Sequence, residues 1–205
     1  MRIVVFIILN MLGVASATAQ EFAFEYWHEG KLILDSGDTL RGSIKYDLQS
    51  DLIQYQSKPD NKLESYTARK VLFFEIFDNT VKRYRTFYSL PYSTAGQYKA
   101  PVFFELLVEG KLTVLCREFL EYRTTSSPFY YYGTTTRLML INKYFLLREN
   151  GEIEEYRGKK NDWYDLMRGK EDDVQKYVKA NRLDLDDKYE LASALTYYNS
   201  LFVKK

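Results

Sequence analysis

A series of tight-turn signals between residues 31 and 157 constrains the fold of this chain more than any other feature. Asn150-Gly151, the strongest short-range hairpin signal that a sequence offers, separates residues 137–148 from residues 152–156. The same kind of turn chemistry is found at Ser36-Gly37, Asp78-Asn79 and Glu109-Gly110. Successive hairpins without a long helix between them indicate an antiparallel meander.

Alternation of apolar and polar side chains marks the arms of these hairpins as strands. In residues 39–46 the alternation is regular, as in a half-buried strand. The other predicted strands are residues 32–35, 71–77, 81–87, 102–108 and 112–122, with weaker candidates at 52–55 and 62–66. Residues 89–101, which contain two prolines and one glycine, are predicted to form a long loop.

The periodicity changes to that of helices after residue 158. Residues 162–168, 171–180 and 187–201 each fit a helix, with Asp162 and Asp187 as start signals. We therefore expect a mainly β protein with an α-helical C-terminal appendage (α+β), whose antiparallel meander forms a sandwich, a curved sheet or an open barrel. The expected division is a β domain at residues 20–158 and a helical segment at 159–205 packed on it.

Residues 1–19 have the organisation of a secretory signal peptide. An apolar core at residues 3–14, broken only by Asn10, is followed by Ala17 and Ala19 in the small-x-small pattern of a cleavage site. The core is shorter than the roughly 20 residues that a membrane-spanning helix needs. We therefore expect cleavage between Ala19 and Gln20, with no transmembrane span afterwards, and Gln20 in place of Cys argues against a lipid anchor.

Charge and cysteine content narrow the classes of partner. The chain holds 29 Lys and Arg against 28 Asp and Glu, and Arg2 leaves with the expected signal peptide. Because nucleic-acid binders need a basic excess, this balance argues against a nucleic-acid partner. Cys116 is the only cysteine, so no internal disulfide can form, and its apolar surroundings predict a buried thiol.

The residues that usually carry chemistry are scarce. His28 is the only histidine, so a catalytic triad or a zinc site lacks partners, and we expect His28 to be a surface residue. No Gly-rich phosphate loop is present. Glu105, Glu118 and Glu121 lie on predicted strands, where solvated outer-face positions are expected. We therefore predict no catalytic, cofactor-binding or metal site, with a carboxylate-dependent hydrolase as a remote alternative.

The predicted loop at residues 124–136 is unusually aromatic. It contains Phe129, Tyr130, Tyr131 and Tyr132, and aromatic side chains are enriched at protein interfaces. Together with Trp163 they are the candidate contacts for a partner or a ligand. The alternative is that this loop folds down and caps one end of the β core.

Two segments near the ends of the mature chain carry a family resemblance. One is Gly30 with the run DSGDTLRGSI at residues 35–44, and the other is a helical tail in which residues 174–181 precede YYNSL at 197–201. In both, the chain resembles a family of uncharacterised exported bacterial envelope proteins. The resemblance implies export from a Gram-negative cell, and the family has no established activity or catalytic residues to transfer.

These observations predict an exported, non-catalytic binding or structural module of the bacterial cell envelope. We expect it in the periplasm or cell envelope of a Gram-negative bacterium, or released from the cell. Its expected partner is another envelope protein, and no cofactor is expected. A periplasmic protein that binds a glycan or another small ligand is the alternative.

Overall fold

The computed structural model of the chain describes residues 22–58, 60–93, 96, 98–126 and 134–203. Within these ranges, ten antiparallel strands form one curved, open sheet. The strands are β1 (His28–Leu34), β2 (Thr39–Asp47), β3 (Leu52–Ser57), β4 (Leu63–Thr67), β5 (Val71–Asp78), β6 (Arg83–Tyr92), β7 (Ala100–Val108), β8 (Thr113–Ser126), β9 (Thr134–Leu147) and β10 (Ile153–Tyr156). The expected α+β class is confirmed, and the sheet is the curved, unclosed one of the three expected arrangements.

Helical elements follow the last strand. They are the 3₁₀ segment Lys160–Met167 and the helices α1 (Glu171–Asn181) and α2 (Lys188–Ser200), and short 3₁₀ turns occur earlier at Ala23–Glu25 and Ala68–Lys70. Asp187 caps α2 as predicted, because its side chain accepts hydrogen bonds from the backbone N–H groups of Tyr189 at 2.8 Å and Glu190 at 2.9 Å. None of the helices in the described ranges has the length and apolar character needed to cross a membrane.

The strand order departs from a single meander at one point. It runs β10-β9-β8-β7-β6-β5-β1-β2-β3-β4, so that β5 pairs with β1 and not with β4. The β1–β5 pair joins Leu32 to Phe74, both fully buried. By contrast, no residue of β4 is buried, which suits a strand at the edge of a sheet. Two meanders therefore lie side by side.

The hairpin of β6 and β7 corrects the loop predicted at residues 89–101. Strand pairing continues to Tyr92 and Ala100, and Pro91 lies opposite Pro101. Each proline removes only its own N–H donor, so pairing persists at the residues beside it. The Tyr92 ring holds the extension in place through edge contacts with Phe104 at 5.5 Å and Phe145 at 5.4 Å.

The face of the sheet on which the helical elements pack, called the inner face below, carries two apolar clusters. The first belongs to the strands alone and centres on stacked Phe74 and Phe87, whose ring centroids are 4.5 Å apart. The second lies under the helical elements, where Val114 and Leu146 of the sheet pack with buried residues of α1, α2 and the 3₁₀ segment. The helical segment is thus packed on strands β7–β9, and the space between the two clusters is polar.

Strands β8 and β9 are longer than the strands beside them. Each has 14 residues, but β7 pairs with β8 only as far as Cys116 and β10 pairs with β9 only as far as Tyr144. Beyond those points the two strands, residues 117–126 and 134–143, pair with each other. At about 3.3 Å per residue this two-stranded extension, called the ribbon below, is roughly 30 Å long.

Candidate functional site

Five charged side chains are buried between the two apolar clusters of the inner face. This charge cluster consists of Asp78 of β5, Arg85 of β6, Glu105 of β7, Glu118 of β8 and Lys188 at the start of α2. Their side chains are only 1–7% exposed. Buried charges of this kind are costly unless they are paired, so the geometry of the pairing decides what the cluster can do.

Arg85 is the centre of the charge cluster. Its Nε donates to Oε1 of Glu105 at 2.9 Å and its Nη2 to Oε2 of the same carboxylate at 2.7 Å. Nη2 also donates to Oε1 of Glu118 at 2.8 Å, and Nη1 donates to Oδ2 of Asp78 at 3.1 Å. The planar fork of a guanidinium suits this bidentate arrangement. Through these bonds Arg85 links the four adjacent strands β5, β6, β7 and β8.

Lys188 brings the helical segment into the same cluster. Its Nζ donates to Oε1 of Glu118 at 2.6 Å and to Oε2 of Glu105 at 3.0 Å. Lys188 immediately follows the capping residue Asp187, so the cap sets the position of the lysine above the sheet. The cluster therefore contains three carboxylates and two cations, and its ion pairs connect the sheet to α2.

The pairings set the protonation states of Glu105 and Lys188. Burial by itself would raise the pKa of Glu105, but the charges of Arg85 and Lys188 outweigh burial, and the pKa of the carboxyl lies below its usual range. For Lys188, burial works to lower the pKa, and the carboxylates of Glu105 and Glu118 raise it above its usual range instead. Both partners are therefore charged throughout the neutral range.

This charge state bears on the hydrolase alternative. Glu105 and Glu118 do converge, but both carboxylates are already bonded to Arg85 and Lys188. A general acid has to hold a proton near neutral pH, and a nucleophilic carboxylate has to be free to attack. Glu105, whose pKa is lowered, does not hold such a proton, and neither carboxylate is free, because Arg85 and Lys188 bond to both. The geometry therefore favours an electrostatic junction over a catalytic pair.

The expectation that the strand carboxylates are solvated is wrong for two of the three. Glu105 and Glu118 are buried, whereas Glu121 is 40% exposed and pairs with Lys143 at 3.5 Å. The partners of Glu105 are 20 and 83 residues away in the chain, so no local pattern announces them. The one available signal is position, because Glu105 alternates with the apolar Phe103 and Leu107 on one face of β7.

His28 and Cys116 are both buried. His28, expected at the surface, is 2% exposed because β1 extends to it and places it opposite Ile44 on the inner face. The buried position predicted for Cys116 is confirmed, at 1% exposure, and burial raises the pKa of its thiol. Among the described residues, no group of three or more His, Cys, Asp and Glu side chains is arranged to hold a metal ion.

The predicted contact residues do not come together in the described part of the chain. Phe129, Tyr130, Tyr131 and Tyr132 lie outside it, as do the cleavage-site residues Ala17, Ala19 and Gln20. Trp163 is 2% exposed in the second apolar cluster, stacked on Tyr156 at 3.9 Å and edge-on to Tyr144 at 5.6 Å. Its ring is thus occupied by packing and is not presented at the surface.

Comparison of the chain with protein-family models, curated proteins and solved structures finds no match. The resemblance to exported envelope proteins therefore stays a prediction. The functional proposal rests on the geometry of the ribbon.

Proposed function

We propose that the protein is an exported, non-catalytic binding or structural module of the bacterial cell envelope, and that the ribbon is the part that meets its partner. The observation that carries the proposal is the length of β8 and β9 beyond their neighbours. An isolated two-stranded ribbon is marginally stable in water. A long one that presents apolar side chains suits a surface that a partner covers.

Both faces of the ribbon carry apolar side chains. Leu120, Tyr122 and Leu138 lie on one face, and Met139 lies on the other with Phe119. Tyr122 is 77% exposed and Met139 is 42% exposed. Tyrosine and methionine are enriched at protein interfaces. A hairpin that only connected two strands would have no need to expose such large apolar side chains to water.

Charge on the ribbon indicates the chemistry of the partner. Arg123 lies directly opposite Arg137 in the strand pairing, and both residues are exposed. Like charges directly opposite each other destabilise a strand pair, and within the described ranges neither arginine has a carboxylate partner. An acidic segment on another envelope protein would relieve this repulsion. Such a segment could also pair with the open backbone edge of β8 beyond Cys116.

A crosslinked pull-down of the C-terminally tagged protein from the native envelope tests the proposal. Mass spectrometry identifies the partners and the mature N-terminus, which should begin at Gln20. A partner recovered in near-stoichiometric amount should be lost when Tyr122→Ser and Met139→Ser are combined. It should be retained by the control Tyr84→Ser, because Tyr84 is 70% exposed but lies on β6.

The arginine pair allows a second test that separates folding from binding. Arg123→Glu turns the repulsive pair with Arg137 into an attractive one, so the thermal unfolding midpoint should stay the same or rise. Capture of an acidic partner should nevertheless fall. Unchanged capture by this variant and by the apolar double variant would exclude the ribbon as the binding surface, and an uncleaved chain in the cytoplasm would exclude export.

A further inference from the structure

A groove of about 440 Å³ lies between α2, α1 and strands β6 and β7, away from the ribbon. Its lining includes Arg83, Leu107, Tyr177, Tyr189, Thr196 and Tyr197. The volume falls within the range of small-molecule sites, which is roughly 300–1,000 Å³. The lining combines three phenol rings, aliphatic hydroxyls and one guanidinium. These groups together favour a ligand that has a negative charge, hydroxyl groups and an apolar ring face.

Arg83 supplies an unused positive charge. Its guanidinium carbon lies 4.0 Å from the centroid of the Tyr189 ring, so a cation–π contact holds it in place. Arg85, two residues along the same strand, is bonded to three carboxylates. Arg83 is exposed and, among the described residues, has no carboxylate within ion-pair distance. A positioned guanidinium with open donors is suited to a planar carboxylate, which it can bind with two hydrogen bonds.

Hydroxyl groups of α2 line the groove beside the rings. Ser193 donates to the carbonyl oxygen of Tyr189 at 2.9 Å, and Thr196 donates to that of Ala192 at 2.7 Å. Ser200 donates in the same way to the carbonyl of Tyr197 at 2.6 Å. Because each hydroxyl hydrogen is used inside the helix, the oxygens of these lining residues are left to act as acceptors. They therefore fit a ligand that is rich in hydroxyl donors.

An aromatic platform completes the groove. The rings of Tyr177 and Tyr197 stack with centroids 4.1 Å apart and planes 4° from parallel, and both residues are half-buried. Rings stacked in this way are held in one orientation by α1 and α2. The exposed surface of such a pair can pack against the C–H face of a saccharide ring.

We propose that this groove binds an acidic saccharide, a sugar ring that bears a carboxylate. The carboxylate lies on Arg83, the ring hydroxyls donate to Ser193 and Thr196, and the ring face packs on Tyr197. This site is separate from the ribbon, so it stands or falls independently of the proposed partner protein.

Binding of uronic acid trimers tests this site. The full mature chain is titrated, with NMR or calorimetric detection, with trimers of glucuronate, galacturonate and mannuronate and with their methyl esters. At least one uronate should bind, and its ester should bind about tenfold more weakly or worse, because the charge-assisted hydrogen bonds to Arg83 are lost. Arg83→Gln should remove the preference for the acid, whereas the control Arg41→Gln, at an exposed arginine on β2, should leave it unchanged.

A second variant addresses the platform. Tyr197→Ala should weaken both acid and ester, and Tyr197→Phe should restore binding because the ring is retained. The proposal is overturned if no uronate binds at millimolar concentration, if acid and ester bind equally, or if Arg83→Gln binds like the natural chain. Inorganic phosphate that binds as tightly as the trimers would also overturn it, because the groove would then hold an anion without a saccharide.

Discussion

Lys188→Met is the substitution that tests the charge cluster most directly. Methionine keeps most of the apolar stem but removes the two bonds from Nζ, to Glu118 at 2.6 Å and to Glu105 at 3.0 Å. Three buried carboxylates then share the single guanidinium of Arg85. Removal of one partner from a buried ion pair typically costs about 3–5 kcal/mol. For a domain of this size, each kcal/mol shifts the unfolding midpoint by about 2–4 °C, so a fall of roughly 6–20 °C is expected.

The destabilisation caused by Lys188→Met should depend on pH. The pKa of Glu105 is lowered in the folded chain, so its stabilising contribution is present above the ordinary glutamate pKa of about 4.3 and is lost as the pH falls through the folded value. The pKa of Lys188 is raised, so its contribution is complete below the ordinary lysine pKa of about 10.4 and is lost only at higher pH. The difference between natural chain and variant should therefore be largest between about pH 5 and pH 10 and should shrink in acid.

Urea denaturation of the natural chain and of Lys188→Met, at neutral and at acidic pH, measures the difference in their free energies of unfolding. Lys143→Met is the matched control, because Lys143 pairs with Glu121 at 3.5 Å where both side chains are 40% exposed, and it should cost no more than about 1 kcal/mol. Adding Glu118→Gln to Lys188→Met restores the original charge balance and should recover part of the loss. A free energy of unfolding for Lys188→Met within about 0.5 kcal/mol of the natural value at neutral pH, or a loss that does not change with pH, would refute the argument.

Three further outcomes follow from single contacts. Asn199→Ala removes bonds from the side chain to the backbone N–H and C=O of Leu112, both 2.9 Å, and should lower the free energy of unfolding by about 1–3 kcal/mol in a denaturant titration. Gly30→Ala places a methyl group against the carbonyl oxygen of Glu75; it should destabilise by at least about 1 kcal/mol, and a midpoint at the natural value would show that β1 and β5 can separate. Cys116, 1% exposed with its thiol pKa raised, should react with iodoacetamide only at the rate of unfolding, and fast labelling of the folded chain would contradict its burial.

Local structure was largely predictable. The turn at Asn150-Gly151 forms where expected, with Gly151 at φ 81°, and the cap of α2 lies at Asp187. These features depend on residues within a few positions of each other, so their chemistry is visible in a short window. The prediction of a loop at residues 89–101 was wrong for a related reason. A proline in the sequence indicates the loss of one N–H donor, but it does not reveal that Tyr92 packs against Phe104.

The candidate site was only partly predictable. Glu105 and Glu118 could be identified as carboxylates on strands, but not as buried ones, because burial depends on which strand face the helical segment covers. Trp163 illustrates the converse, since an exposed contact and a core residue have the same appearance in sequence. Its 2% exposure results from packing against Tyr144 of β9 and Tyr156 of β10.

The sequence by itself determined most of the strands and turns and the α+β class of this protein, because alternation and turn chemistry act between near neighbours. Only the tertiary structure decided the pairing of β1 with β5, the extension of β8 and β9 beyond their neighbours, and the charge cluster. Lys188 reaches Glu118 across 70 residues and Glu105 across 83. Contacts over such separations exist only once the sheet has curved and the helices have packed on it, so burial and charge pairing are properties of the folded chain.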